Sequence, residues 1–260
     1  MAQVELAFDD RGAGDPIVLL HAFPTDRTLW ADVAAELASS ECRIITPDLR
    51  GFGGSPLGTD APDLDRVADD VIALLDRLQL PQAVIGGLSL GGYVTLNVLR
   101  RHPERISALL LVDTKAAADD AAAQTRREQM AQTVERTKST TDYIDGWTTT
   151  LIGNTSRLWR PAVTERVREW GRTTSPATVA WYQRAMAARP ASFDALETCA
   201  VPALVVVGTQ DEITPLADAE AMRVATPAAV LAVIAASGHL SALEAPEAVT
   251  AAVRDFLATR

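Results

Sequence analysis

Ala83-Val84-Ile85-Gly86-Gly87-Leu88-Ser89-Leu90-Gly91-Gly92-Tyr93-Val94 is the stretch that decides the fold. Its first three residues are an apolar run of buried-strand type, and Tyr93 to Arg101 reads as a helix, so Ser89 falls on the turn between them. A serine on so sharp a turn needs small neighbours, because a Cβ at the flanking positions would strike the helix or the adjoining strand. The turn pushes the hydroxyl outward and sets it at a helix N-terminus, where free N–H groups favour a developing negative charge.

Working outward, Ile17 to Leu20, Arg43 to Thr46 and Ala108 to Val112 are further short apolar runs of strand type. Between two of these runs, Leu64, Val67, Ala68, Val71, Leu74, Leu75 and Leu78 recur at helical spacing, with Asp63, Asp65, Asp69, Asp70 and Arg77 on the other side. Alternation resumes with Ala203 to Val207, a helix around Leu216 to Val224, Val230 to Ile234 and a terminal helix opened by Pro246. This is the pattern of βα units feeding a mostly parallel sheet. Residues 115–195 interrupt it with no convincing strand and read as short helices forming a lid, which divides the chain into a core of 1–114 and 196–260 and an insertion of 115–195. Four of the five tryptophans lie there, Trp147, Trp159, Trp170 and Trp181, with Tyr143, Tyr182, Met130 and Met186. Some of these side chains glue the helices to the sheet, and others, Trp147 and Trp170 first, are candidates to line an apolar substrate cavity.

A serine hydroxyl needs a base within hydrogen-bond reach, itself held by a carboxylate. Of the three histidines, His102 ends the helix after Ser89, where a cation suits the helix dipole, and His21 shapes the loop His21-Ala22-Phe23-Pro24. His239, in the loop before the terminal helix, is the one placed to reach the carboxyl edge of the sheet. Asp211, after the strand Ala203 to Val207, is preferred as the carboxylate because it gives the chain order Ser, Asp, His. Asp113, at the end of Ala108 to Val112, is its competitor. Donors for an oxyanion are expected from the backbone N–H groups of Leu90 and Phe23.

Composition bounds the rest. The 260 residues are 48% hydrophobic and 22% charged, which excludes disordered and fibrous classes. A net charge of −10 repels nucleic acid and anionic bilayers. Two cysteines, Cys42 and Cys199, build neither a disulfide framework nor a thiol metal site. With an acidic N-terminus and no long uncharged apolar run, the expectation is a cytoplasmic protein with no membrane or nucleic-acid partner. Charge is unevenly spread: residues 115–195 hold 12 Lys+Arg against 9 Asp+Glu. Arg126, Arg127, Arg166 and Arg168 read as solvated helix faces, but any that turned inward would admit a small carboxylate-bearing substrate.

Taken together, Gly87 to Gly92, the His21 loop followed by Trp30, Asp48-Leu49-Arg50-Gly51-Phe52-Gly53-Gly54-Ser55, Gly208 with Asp211 and Pro215, and Gly238-His239 resemble the α/β-hydrolase fold superfamily. Within it, the chain resembles small lidded serine hydrolases such as carboxylesterases, 3-oxoadipate enol-lactonases and perhydrolases. The resemblance implies an eight-stranded, mostly parallel sheet flanked by helices, with a helical lid inserted after the sixth strand. It implies Ser89 as nucleophile, His239 as base, Asp211 as acid, Phe23 and Leu90 as oxyanion donors, and neither cofactor nor metal. The expected activity is hydrolysis of an apolar carboxylic ester or lactone. C–C bond hydrolysis and perhydrolysis use the same triad, and a small-molecule receptor with little turnover is the rival from another class. Many relatives carry glycine where Ala22 stands, and alanine would be strained there if the position required a positive φ.

Overall fold

The computed structural model describes residues 4–259, without the side chains of 142–145, so the lid candidate Tyr143 lies outside the described residues. In chain order the core begins β1 (Phe8–Gly12), β2 (Asp15–Leu20), α1 (Ala31–Leu37), β3 (Cys42–Pro47), α2 (Leu64–Arg77), β4 (Ala83–Leu88), α3 (Leu90–Arg101) and β5 (Ile106–Val112). Six helices follow: α4 (Ala121–Thr137), α5 (Thr141–Leu151), α6 (Asn154–Trp159), α7 (Pro161–Thr173), α8 (Pro176–Ala188) and α9 (Phe193–Glu197). The chain then returns through β6 (Ala203–Gly208), α10 (Leu216–Ala225), β7 (Ala229–Ile234), α11 (Ser241–Glu244) and α12 (Pro246–Thr259).

Among the described residues the sheet has seven strands in the order β1-β3-β2-β4-β5-β6-β7. All neighbours are parallel except β1, which runs antiparallel to β3. No eighth strand is formed among the described residues, and the helical insertion follows the fifth strand. Residues 4–7 join no strand: Val4 N–H donates to Asp70 Oδ1 at 3.1 Å, Ala7 N–H donates to Ser55 Oγ at 2.9 Å, and Ala7 O accepts Asp48 N–H at 2.8 Å. Strand β1 itself carries Asp9, Asp10 and Arg11, charges that suit a sheet edge and hide it from an apolar-run criterion.

Side-chain alternation sorts the central strands into two cores. Val18, Leu20, Ile85 and Leu109 face α2 and α3, with Ala131, Val134 and Val179 of the insertion in the same cluster. Ile17, Leu19, Val84 and Leu110 face Val33 and Leu37 of α1 and Val249, Val253 and Phe256 of α12. Helix α2 shows why its face is fixed: Leu64, Val67, Ala68, Val71, Leu74 and Leu75 are all buried, and the Asp63 carboxylate caps the first turn by accepting from Asp65 N–H. After β3 the chain crosses β2 to form β4, so the strand order reverses at the carboxyl end of β4. Open α/β sheets leave a crevice at such a point.

Candidate active site

Ser89 leaves β4 at φ 54° and ψ −108°, a conformation that costs energy in any residue with a side chain. Its backbone is pinned from both sides, since Ser89 N–H donates to Val112 O at 3.0 Å and the Thr114 hydroxyl donates to Ser89 O at 2.9 Å. Glycines make the turn sterically possible. A Cβ on Gly87 would lie 2.1 Å from the carbonyl carbon of Gly91, and one on Gly91 would lie 2.2 Å from Leu20 O. Leu90 is the first residue of α3, so its N–H has no acceptor within the helix.

The Ser89 hydroxyl stands 2.8 Å from His239 Nε2, and His239 Nδ1 stands 2.9 Å from Asp211 Oδ2. Asp211 is held in turn by its own loop: Oδ1 accepts the N–H groups of Ile213 at 2.8 Å and Thr214 at 3.0 Å, and Oδ2 accepts the Thr214 hydroxyl at 2.7 Å. These contacts fix the tautomer, with Nδ1 donating to the carboxylate and Nε2 free to accept from the serine. His239 is 1% exposed. Burial alone would lower its pKa, but the charge and hydrogen bond of Asp211 outweigh that and raise it above the usual imidazole value. Burial would raise Asp211, yet His239 and the Thr214 donors hold it below the ordinary carboxylate range. The arrangement can therefore draw a proton from the Ser89 hydroxyl into an imidazole whose charged form is stabilised in advance.

The competitor Asp113 is fully buried nearby but does not touch His239. Its Oδ1 accepts Gly208 N–H at 3.0 Å and its Oδ2 accepts Ser241 N–H at 2.9 Å, so it ties β6 to the segment after His239. Burial, reinforced by the Asp211 charge, pushes its pKa up to about 8. Two further residues that the sequence reading passed over complete the frame. Thr214 belongs to an Asp-initiated turn, a local signal readable from Asp211-Glu212-Ile213-Thr214. Glu244, 2% exposed, accepts Gly238 N–H at 3.0 Å and Leu240 N–H at 3.3 Å through Oε1, and Gly153 N–H at 2.9 Å through Oε2. It thereby braces the His239 loop and joins it to the helical insertion; no short motif announces it.

His21 holds the neighbouring loop, accepting Leu49 N–H on Nε2 at 2.9 Å while Nδ1 contacts Ala22 O at 2.8 Å. Phe23 is buried beside it, packed edge-on against Phe52. Ala22 is not among the residues with positive φ, so the strain considered for that position does not arise. His102 lies apart at the end of α3, 3.8 Å from both Asp69 and Glu104. The candidate lid aromatics separate. Trp147 lines a cavity of about 440 Å³ with Met130 and Ile213, whereas Trp170 is buried against the core and lines a different hollow with Thr25, Phe52 and Ser175. Trp181 is packing, its Nε1 donating to Asp60 O at 2.9 Å, and Trp159 is 78% exposed. Cys42 and Cys199 are free thiols, and no helix among the described residues is long and apolar enough to cross a membrane.

Known proteins share the fold. An esterase from Thermogutta terrifontis, solved with malate bound, superposes with a TM-score of 0.95 at 38% identity, covering 98% of this chain and 94% of that one. The enol-lactonase from Burkholderia xenovorans LB400 superposes with a TM-score of 0.89 at 26% identity, covering 98% and 97%. In sequence, 3-oxoadipate enol-lactonase 2 of Acinetobacter baylyi is 28% identical over 240 residues, 91% of this chain and 86% of that protein. Residues 15–246 match the family model of the alpha/beta hydrolase fold, and the chain belongs to that family.

Proposed function

We propose that the chain is a serine hydrolase that cleaves a carboxylic ester or lactone through an acyl-enzyme on Ser89. The observation that carries this reading is the continuous relay from the Ser89 hydroxyl through His239 to Asp211, at 2.8 and 2.9 Å. His239 Nε2 takes the hydroxyl proton as Ser89 Oγ attacks the carbonyl carbon. Asp211 stabilises the imidazolium that results. Negative charge develops on the former carbonyl oxygen, and the N–H groups of Leu90 and Phe23 are the donors assigned to it. His239 then gives its proton to the departing alkoxide, leaving the acyl group on Ser89. Water enters, loses a proton to His239 and attacks the acyl carbon; His239 returns that proton to Ser89 Oγ as the acid leaves. In a lactone the departing alkoxide stays attached to the acyl chain, so a hydroxy acid is released. The similarity to an esterase and to enol-lactonases supports the same class. An intact relay also argues against a receptor with little turnover, since binding alone needs no aligned base.

The test is turnover of p-nitrophenyl acetate and butyrate by wild type and Ser89→Ala. The proposal expects the folded variant to lose nearly all activity, and undiminished turnover would contradict it.

A further inference from the structure

The junction of α5 and α6 touches both loops that carry the relay. Gly153 is buried there, and its N–H donates to Glu244 Oε2 at 2.9 Å, while Oε1 of the same carboxylate accepts Gly238 N–H at 3.0 Å, one residue before His239. The two glycines also meet directly. A Cβ on Gly238 would lie 2.1 Å from Gly153 N, and one on Gly153 would lie 2.8 Å from Gly238 N. Two residues on, Thr155 is joined to the other loop: its N–H donates to Gln210 Oε1 at 3.0 Å and its hydroxyl accepts from Gln210 Nε2 at 2.8 Å. Gln210 immediately precedes Asp211. A Cβ on Gly153 would also stand 2.6 Å from Gln210 Oε1, so this short segment of the insertion is wedged against the Asp211 and His239 loops together.

The roots of the two loops are joined by their own backbone, since Gln210 N–H donates to Ser237 O at 2.8 Å and Ala236 N–H to the Thr209 hydroxyl at 3.0 Å. The side chains of Gln210 and Glu244 add ties of a different kind, because both reach out of the core to the insertion. For Glu244 the choice of residue is telling. Its side chain is buried, no cation pairs with its carboxylate among the described residues, and Arg160 reaches its backbone O instead. A buried charge held only by N–H groups carries a desolvation cost that apolar packing would avoid if attachment were all that was needed. What the carboxylate adds is one rigid planar group that sets Gly153, Gly238 and Leu240 relative to each other, with a negative charge that favours the His239 imidazolium.

We propose that Gln210 and Glu244 are positioning residues that use Gly153 and Thr155 of the insertion as a spacer, setting His239 against Asp211 and Ser89. The insertion then does more than cover the sheet edge: the relay reaches 2.8 and 2.9 Å with this junction seated between its two loops. Proton transfer is steeply sensitive to such spacing, a misplacement of about 1 Å costing about a hundredfold in rate. The inference rests on the Ser89 chemistry proposed above and adds to it the residues that hold its base and acid in place.

The test measures kcat and KM for p-nitrophenyl butyrate, with kcat counted per serine titrated by a fluorophosphonate so that misfolded protein drops out. Gly153→Ala places a methyl between the insertion and the His239 loop. Gly146→Ala is its control, because a Cβ at that position of α5 would meet nothing within 4 Å. Glu244→Gln keeps an oxygen for Gly238 and Leu240 but turns an amide nitrogen toward Gly153 N–H, two donors face to face. Gly153→Ala and Glu244→Gln are expected to lower kcat roughly tenfold to a hundredfold with KM within about twofold of wild type, and Gly146→Ala to leave both unchanged. Thr155→Val and Gln210→Leu keep the question open to test should either of the first two fail to fold. Each is expected to lower kcat about threefold to tenfold, the size of one hydrogen bond, and the double variant to fall no further than the worse single one. A purely structural role would reduce the number of titrated serines and leave kcat per serine at the wild-type value. That result overturns the inference, as does a loss confined to KM or an equal loss in Gly146→Ala, while Ser89-dependent hydrolysis stands. Butyrate turnover that survives Ser89→Ala overturns both.

Discussion

Replacing Asp211 by Asn separates the two acids that compete for His239, and the structure specifies how the amide would sit. Oδ1 of Asp211 is claimed by the N–H groups of Ile213 and Thr214, so an asparagine would keep its oxygen there. Its Nδ2 would then occupy the place of Oδ2, facing His239 Nδ1 and the Thr214 hydroxyl. An amide nitrogen can only donate, so it would donate to Nδ1 and drive the imidazole proton onto Nε2. That tautomer has no lone pair for the Ser89 proton. An Asp-to-Asn change in another serine triad costs about 10⁴-fold for this reason, so a loss of about 10³ to 10⁴-fold in kcat/KM is expected here, about 4–5.5 kcal/mol of transition-state stabilisation. Asp113→Asn is the matched control. It forfeits one accepted backbone bond, about 1–3 kcal/mol of stability, and leaves the His239 tautomer alone, so its rate should fall by no more than about tenfold. The assay is p-nitrophenyl butyrate hydrolysis at pH 8, with circular dichroism and a melting curve for each variant. The reasoning is refuted if Asp113→Asn is the more damaging change, or if Asp211→Asn stays within tenfold of wild type.

Three other outcomes follow from the same geometry. Imidazolium cannot accept the Ser89 proton, and Asp211 raises the His239 pKa, so kcat/KM should fall as pH drops through a midpoint above 6.5; a flat limb down to pH 5 with the enzyme folded would contradict it. For Asp113 the folded pKa of about 8 exceeds the unfolded value of 3.8, so the stability it confers is complete below the unfolded value and is lost as pH rises through about 8. Urea unfolding at pH 7 and pH 9.5 should show wild type losing more stability than Asp113→Asn over that interval. Gly91→Ala would press a Cβ to 2.2 Å from Leu20 O, backbone against backbone, so α3 must shift. A stability cost of about 1–3 kcal/mol is expected, with kcat/KM reduced by displacement of Ser89; a melting temperature and rate equal to wild type would argue against the close packing.

The parts of this architecture legible in the sequence are those that a local rule dictates. Strands β2 to β7 carry apolar runs, and Ser89 sits among glycines because a Cβ there meets backbone. Asp211 and His239 follow strands that end at the same sheet edge. Strand β1 escaped because Asp9, Asp10 and Arg11 serve an edge, where charge is tolerated. No spacing rule shows that Asp70 and Ser55, far along the chain, take the N–H groups of Val4 and Ala7. Asp113, and Glu244 in its bond to Gly153, act through long-range backbone contacts that no spacing rule encodes. Residues 115–195 are readable as helical, but that Trp147 and Trp170 line different hollows depends on how α5 and α7 pack.

The central claim, that Ser89 is a nucleophile activated by His239, is tested most directly by labelling the protein with a fluorophosphonate and locating the adduct by peptide mass spectrometry. The account predicts stoichiometric phosphonylation on Ser89, lost in Ser89→Ala and slowed in a folded His239 variant. An unlabelled protein, or an adduct on another residue, would contradict it.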